Sequence, residues 1–187
     1  MAEVRGVLLN AVLAFLRERF GGQVVDDSIL TLSPGDQVLL PPVILDSNWY
    51  PYSAWGAVRR LSGMLSTQRD PELASEMGKF NANYVFQGVY KGLLVKDPVK
   101  LVKKFSWLHA YFYRDGLALE TELPNPGNCY LRYRYKADDK PSRSTCISTM
   151  GFWIRTIELA GGTGVRANHT KCRAQGDELC EYHLEWQ

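Results

Sequence analysis

The sequence predicts an α+β fold in which N-terminal helices pack on one face of a four-stranded antiparallel sheet, with the C-terminal half running β-β-α-β-β. Three observations carry this. Up to about residue 112 apolar side chains recur at three- and four-residue steps, the period of a helix with one buried face. From Tyr113 they alternate, the period of a half-buried strand. One further helical stretch divides the alternating segments into two pairs, which is the order of elements that gives helices on an antiparallel sheet.

In GVLLNAVLAFLRERFGG, residues Leu8, Ala11, Val12, Phe15 and Arg19, with Val4 just before, fall at helical spacing, and Gly21 and Gly22 supply the stop. This stretch ends in Arg17, Glu18 and Arg19 without a small-residue cleavage site and is too short for a membrane span, so it reads as a helix and not a leader. A cytoplasmic protein is expected, and there thiols stay reduced. ILTLSPGDQVLLPPVI contains a Ser-Pro-Gly-Asp turn and a Pro-Pro pair and is predicted to be a connecting segment. Two short helices follow, over 54–65 and from Pro71, which stands behind Asp70 where a first-turn proline belongs. A buried helix over 80–95 carries Phe80, Tyr84, Val85, Val89 and Leu93. The next starts at Asp97-Pro98 and faces Val99, Val102, Phe105 and Leu108 or His109 inward.

RDGLALETEL and NCYLRYRYKA are strands, and the PNPGN between them makes them a hairpin with Leu131, Tyr133 and Tyr135 on one face. A helix runs from near Ser144 to Gly161-Gly162. Two last strands, GTGVRANHT and CEYHLEW, flank the KCRAQGDEL turn. No repeat or linker divides the chain, so residues 1–187 are expected to form one domain.

At 187 residues the chain is long enough to build a core without staples. Its 45% hydrophobic and 22% charged residues are those of a globular protein. The net charge of +2 comes from interspersed residues with no basic run, which argues against nucleic acid as a partner. No phosphate-binding glycine loop, nucleophile elbow or paired-histidine zinc motif is present, so an enzyme is not expected.

Cys146, His169, Cys172 and Cys180 form a series of metal-ligand types. Zinc takes thiolates and imidazole in a tetrahedron, and four protein ligands leave no position for substrate, so such a site would be structural. Cys146 would come from the first helical turn, where the positive end of the helix favours a thiolate. The alternatives are a disulfide between Cys172 and Cys180 or ordinary buried thiols. Aromatic residues, 12% of the chain, cluster in its middle. Trp49, Tyr84, Trp107 and His109 are candidate walls of a small-molecule pocket, with His109 as the polar reader. The competing expectation is that such rings fill core.

The segment GFWIRTIELAGGTGVRANHTKCRAQGDELCEYHLEW resembles the end of the vinyl-4-reductase-like domain. Its superfamily also holds the heme-based H-NOX sensors and the Bet-type subunits of the TRAPP tethering complex. The matching features are the helix with Gly151, the Gly161-Gly162 break, and Cys172, Gly176, Asp177 and Cys180 ahead of the alternation to Trp186. Upstream, NWYPYSAWGAVRRLSGML and EMGKFNANYVFQGVYKGLL resemble an uncharacterised paralogous family abundant in myxobacteria. The resemblance implies a zinc site at Cys146, His169, Cys172 and Cys180, with His169 where relatives carry a carboxylate. It also implies a helix-sheet cavity for a small apolar molecule, a homodimer, and action through an unknown protein partner. Heme is expected to be absent: the family grips it with Tyr-x-Ser-x-Arg, whereas this chain offers Tyr130-x-Arg132-x-Arg134 and no histidine at the required upstream distance. The function expected is a non-catalytic ligand-binding or sensory module; the alternative is a scaffold with a filled core.

Overall fold

The computed structural model describes residues 2–67, 70–88, 90–136 and 141–187. Among them the chain begins with a short strand, β1 (Glu3–Arg5), that leads directly into helix α1 (Gly6–Phe20). Gly6 makes this junction possible, because a Cβ there would overlap the carbonyl of Leu45. Helix α1 is apolar over most of its circumference, and Val7, Leu8, Leu9, Ala11, Val12, Leu13, Phe15 and Leu16 are all buried. It is therefore the axis of the helical layer and not an amphipathic helix on its surface. Gly21, at φ 90°, ends it.

The segment predicted to be a connection folds into two helices, α2 (Gly22–Leu30) and α3 (Pro34–Leu39). The Ser-Pro pair read as a turn is a helix start: the Ser33 hydroxyl accepts from the Asp36 amide at 3.2 Å and Pro34 occupies the first turn. A turn and a helix start use the same residues, and only the downstream sequence distinguishes them. Strand β2 (Trp49–Pro51) then pairs antiparallel with β1, which pairs on its other side with β3 (Tyr113–Arg114). The sequence gives no sign of this three-stranded sheet, whose strands are too short for alternation to register.

Helix α4 (Tyr52–Ser62) runs on into a wider turn over 63–67. Helix α5 (Pro71–Gln87) is capped by Asp70, which accepts from the amides of Glu72 and Leu73 at 2.9 and 3.0 Å. It merges the helix predicted at Pro71 with the one predicted from Phe80, and it ends earlier than expected; Val89, expected on its apolar face, lies outside the described residues. The helix predicted from Asp97 is split at Lys103-Lys104 into α6 (Pro98–Val102) and α7 (Phe105–Phe112).

The C-terminal half follows the prediction. Strands β4 (Ala118–Asn125) and β5 (Asn128–Arg134) form the hairpin, helix α8 (Arg143–Leu159) crosses over, and β6 (Arg166–Lys171) and β7 (Cys180–Glu185) complete an antiparallel sheet of order β4-β5-β7-β6. Ala137, expected at the end of the second strand, lies outside the described residues. The inward faces of β5 and β7 bury Cys129, Leu131, Tyr133, Cys180, Tyr182 and Leu184. The outward face carries ion pairs, with Arg132 2.7 Å from Glu122 and 2.5 Å from Glu181.

Helices α5 and α8 bind the two layers together. A Cβ on Gly78 would overlap the Ser148 carbonyl, and one on Gly151 would overlap the Ser75 carbonyl, so two glycines let the backbones touch. The core divides accordingly into one cluster centred on α1 and a second between α6, α7, α8 and the sheet. Among the described residues no helix is long and apolar enough to cross a membrane.

Candidate functional site

Four side chains from four parts of the C-terminal half converge. Cys146 projects from the first turn of α8, His169 from β6, Cys172 from the turn after it and Cys180 from the start of β7; their ligand atoms all lie within 4.8 Å of one another. The Cys146 sulfur is 3.7 Å from that of Cys180 and 3.9 Å from that of Cys172. Zinc–thiolate bonds of about 2.3 Å at tetrahedral angles place sulfurs about 3.8 Å apart, whereas a disulfide needs about 2.05 Å. All the described cysteines are free and buried.

The turn between His169 and Cys180 holds its shape through the backbone. The Cys172 amide donates to the Asp177 carboxylate at 2.6 Å, the Asp177 and Gln175 amides donate back to the Cys172 carbonyl at 3.2 and 2.8 Å, and Gly176 takes the left-handed conformation at φ 108°. The Arg173 amide donates to the Cys180 sulfur at 3.4 Å. The His169 ring lies flat against Tyr182, with centroids 4.5 Å apart, and its buried Nε2 has no hydrogen-bond partner. The hydrogen bond with Cys146, then the His169 ring and the Arg173 amide, hold the Cys180 thiol well below its ordinary pKa against the pull of burial. Cys146 is raised, first by that same hydrogen bond and then by burial. Three thiols and an imidazole with a vacant lone pair or proton are a donor set complete for one tetrahedral cation. Cys129 stands apart on β5, its thiol pushed up to about 12 by burial, and is chemically inert.

A cavity of about 90 Å3 lies where the two core clusters meet. Leu8, Val12, Phe86 and Phe112 wall it from the first cluster, and Leu108 and Trp153 from the second. His109 enters this wall from α7. It is 5% exposed, stacks on Tyr113 at 4.6 Å, meets the edge of Tyr133 at 5.4 Å, and leaves its Nε2 without a partner. Burial pushes its pKa down to about 3, so the ring is neutral. The neighbouring polar pair is satisfied: the Trp153 indole N–H donates to the Tyr133 hydroxyl at 2.7 Å.

Of the four expected pocket residues, His109 alone is on these walls. Trp49, on β2, is held between the guanidiniums of Arg5 and Arg114, 4.0 and 3.9 Å from its ring. Tyr84 packs beside Phe80 on α5, with centroids 6.4 Å apart. Trp107 is 55% exposed against Tyr111, since it shares the solvent face of α7 with Ser106 and Ala110. The walls that aromatic density missed include Ser144, Thr145, Ser148 and Thr149 of α8, whose signal is a run of hydroxyls at positions i, i+1, i+4 and i+5 inside a helix.

No protein-family model matches this sequence, and no curated protein is similar to it in sequence. Solved structures are similar in shape. An H-NOX protein from S. oneidensis, a triple mutant in the Fe(II) state, superposes with a TM-score of 0.71 at 16% identity over 98% of this chain and 96% of that one. An oxygen-binding H-NOX domain related to soluble guanylate cyclases gives 0.69 at 13% identity over 98% and 95%. The unliganded Fe(II) H-NOX protein from K. algicida gives 0.67 at 15% over 98% and 96%. This is the H-NOX fold.

The H-NOX neighbours correct the expectation that heme is absent. Those proteins are described with Fe(II), with NO and with oxygen bound, and a further similar structure concerns tuning of heme redox potential by porphyrin distortion. The sequence argument failed for a physical reason. Tyr130, Arg132 and Arg134 lie on the outward face of β5, where Tyr130 stacks on His183 and both arginines pair with glutamates, so they bear on nothing inside. The heme expectation also left out His109, singled out in the sequence only as the polar reader of a pocket, which the fold brings to the cavity. Its neutral, unpartnered imidazole fits an iron's need for a nitrogen ligand, although a cavity of about 90 Å3 admits a macrocycle only when the two layers part.

Proposed function

We propose that the chain, over 1–187, is a non-catalytic sensory module that holds a small apolar molecule between its helical and sheet layers, with a structural zinc ion on Cys146, His169, Cys172 and Cys180. One observation carries the reading: a nearly buried His109 presents an unpartnered Nε2 on the wall of a mostly apolar cavity. An unmet buried donor or acceptor costs about 1–3 kcal/mol, a cost that a ligand with one polar atom removes. Binding there would draw on both core clusters at once, and so would bias how the layers pack. The fold of gas- and heme-binding H-NOX proteins supports an interior ligand. Zinc with four protein ligands has no open position, which supports a non-catalytic role.

Occupancy would be reported to a partner protein or across a homodimer. The free, convergent thiols suit a reducing, cytoplasmic setting.

A second reading is favoured by the same nitrogen: heme, which His109 would help to hold through its free Nε2. Bound there, its iron would supply a site for a diatomic gas. This chain's part would be to offer a neutral imidazole, kept upright by Tyr113, and to exclude water with Phe86, Phe112 and Phe152.

Organic extraction and native mass spectrometry of the purified chain, together with hemin titration, test both. A co-purifying apolar molecule, lost in His109→Leu, supports the first reading. A Soret band abolished by His109→Ala supports the second. No bound species in either assay rejects an interior ligand and leaves a scaffold.

A further inference from the structure

Tyr182 lies fully buried in β7, two residues beyond Cys180 and therefore on the same inward face of the sheet. In the register of β6 and β7 it is the direct partner of His169, and its ring carries that imidazole at a centroid distance of 4.5 Å, 10° from parallel. From the β5 side the edge of Tyr133 meets it at 5.9 Å. The ring is fixed on both sides, yet its buried hydroxyl has no hydrogen-bond partner. That hydroxyl reaches toward the Cys146 sulfur, in the same core cluster.

An unmet buried hydroxyl is costly, and a thiolate beside it supplies the acceptor it lacks. Three thiolates around one dication carry a single net negative charge, which a dry interior tolerates only where hydrogen-bond donors face the sulfurs. Cys180 has such a donor in the Arg173 amide, at 3.4 Å. Cys146 draws none from its own backbone, because its amide donates to the Ser142 carbonyl at 3.1 Å. A hydrogen bond to a charged acceptor is roughly twice as strong as one between neutral groups, so the Tyr182 O–H gains most when the Cys146 sulfur is a thiolate.

We propose that Tyr182 is a positioning residue of the zinc site, its hydroxyl donating to the Cys146 thiolate while its ring holds the His169 imidazole in place. The proposal rests on the zinc reading of the four ligands and adds a fifth side chain that serves two of them from opposite ends. Donation stabilises the charged sulfur and draws electron density from it, so the bound sulfur is a poorer donor of charge to the metal. Outer partners of this kind typically contribute ~10–100-fold to metal affinity.

Tyr182→Phe keeps the ring and removes only the hydroxyl. In the full chain, zinc affinity is read by competition with a chromophoric chelator, the sulfur-to-metal charge-transfer band after loading with Co(II), and the thermal midpoint with metal and after chelation. The variant is expected to bind zinc about tenfold more weakly. Its Co(II) band is expected to move to lower energy, and its midpoint to fall below that of the wild type only when metal is bound; after chelation the two midpoints match or the variant's is higher, because a C–H replaces an unmet O–H. A merely structural hydroxyl shifts both midpoints alike and leaves the band where it is, which overturns the proposal. A variant that does not fold after chelation overturns it as well, since the hydroxyl is then bonded within the core. Zinc and Co(II) bound equally by wild type and variant remove the role of Tyr182 alone. A wild type that binds neither ion removes the zinc site and this role together.

Discussion

The sulfur of Cys146, at the start of α8, lies 3.7 Å from the sulfur of Cys180, at the start of β7, and the two are not bonded to each other. Unbonded sulfurs in van der Waals contact across an element boundary give a spacing that one tetrahedral cation accounts for. The chain purified without chelator or affinity metal is expected to carry close to one equivalent of zinc by elemental analysis. Chelation is expected to lower the thermal midpoint: a site worth about 3 kcal/mol shifts it by roughly 6–12 °C in a chain of this size. Less than a tenth of an equivalent of zinc, with a midpoint insensitive to chelator, removes the site.

His169 contributes the one nitrogen of the set, on a ring fixed flat against Tyr182. Carboxylates also ligate zinc, whereas alanine leaves an open position that water must fill. His169→Asp is expected to keep the metal and His169→Ala to weaken it at least tenfold, read by competition with a chromophoric chelator. Equal loss in both variants would mean that the ring acts through its stacking and not as a ligand.

Elements with a long, unambiguous period were legible in the sequence. The alternation in β5 and β7 gave the sheet its inward residues, and Gly161-Gly162 marked the end of α8. Short elements were not: β1, β2 and β3 have two or three residues each, too few to show any period. Ser33-Pro34 was ambiguous because a turn and a helix cap use the same side chains. Cys146, His169, Cys172 and Cys180 could be found because ligand chemistry restricts residue type. The cavity walls could not, since which face of α5 turns inward depends on the close Gly78 contact with α8 and not on composition.

Gly78 and Gly151 hold α5 against α8, and neither has room for a methyl group. Gly78→Ala is expected to cost about 1–3 kcal/mol through overpacking, measured by urea unfolding. Gly35 provides the control. It lies in α3 with open space around the position of a Cβ, so Gly35→Ala is expected to be neutral or to stabilise by up to about 1 kcal/mol from helix propensity. Equal effects of the two substitutions would show that the α5–α8 contact is not close in solution.

His109 should make stability depend on pH in a definite direction. Its pKa falls from 6.5 to about 3 on folding because burial penalises the charged ring. Between those values the unfolded chain binds a proton that the folded chain refuses, so stability from this group is full above pH 6.5 and is lost as pH falls toward 3. By pH 5 the loss amounts to about 2 kcal/mol. Urea unfolding of the wild type and of His109→Gln at pH 7 and pH 5 isolates it, because the other titrating groups are common to both. The variant is expected to lose less stability than the wild type by roughly that amount. Matching losses would mean that His109 is protonated or hydrated in the folded protein, and with that the neutral, unpartnered nitrogen on which both readings of the cavity depend would be gone.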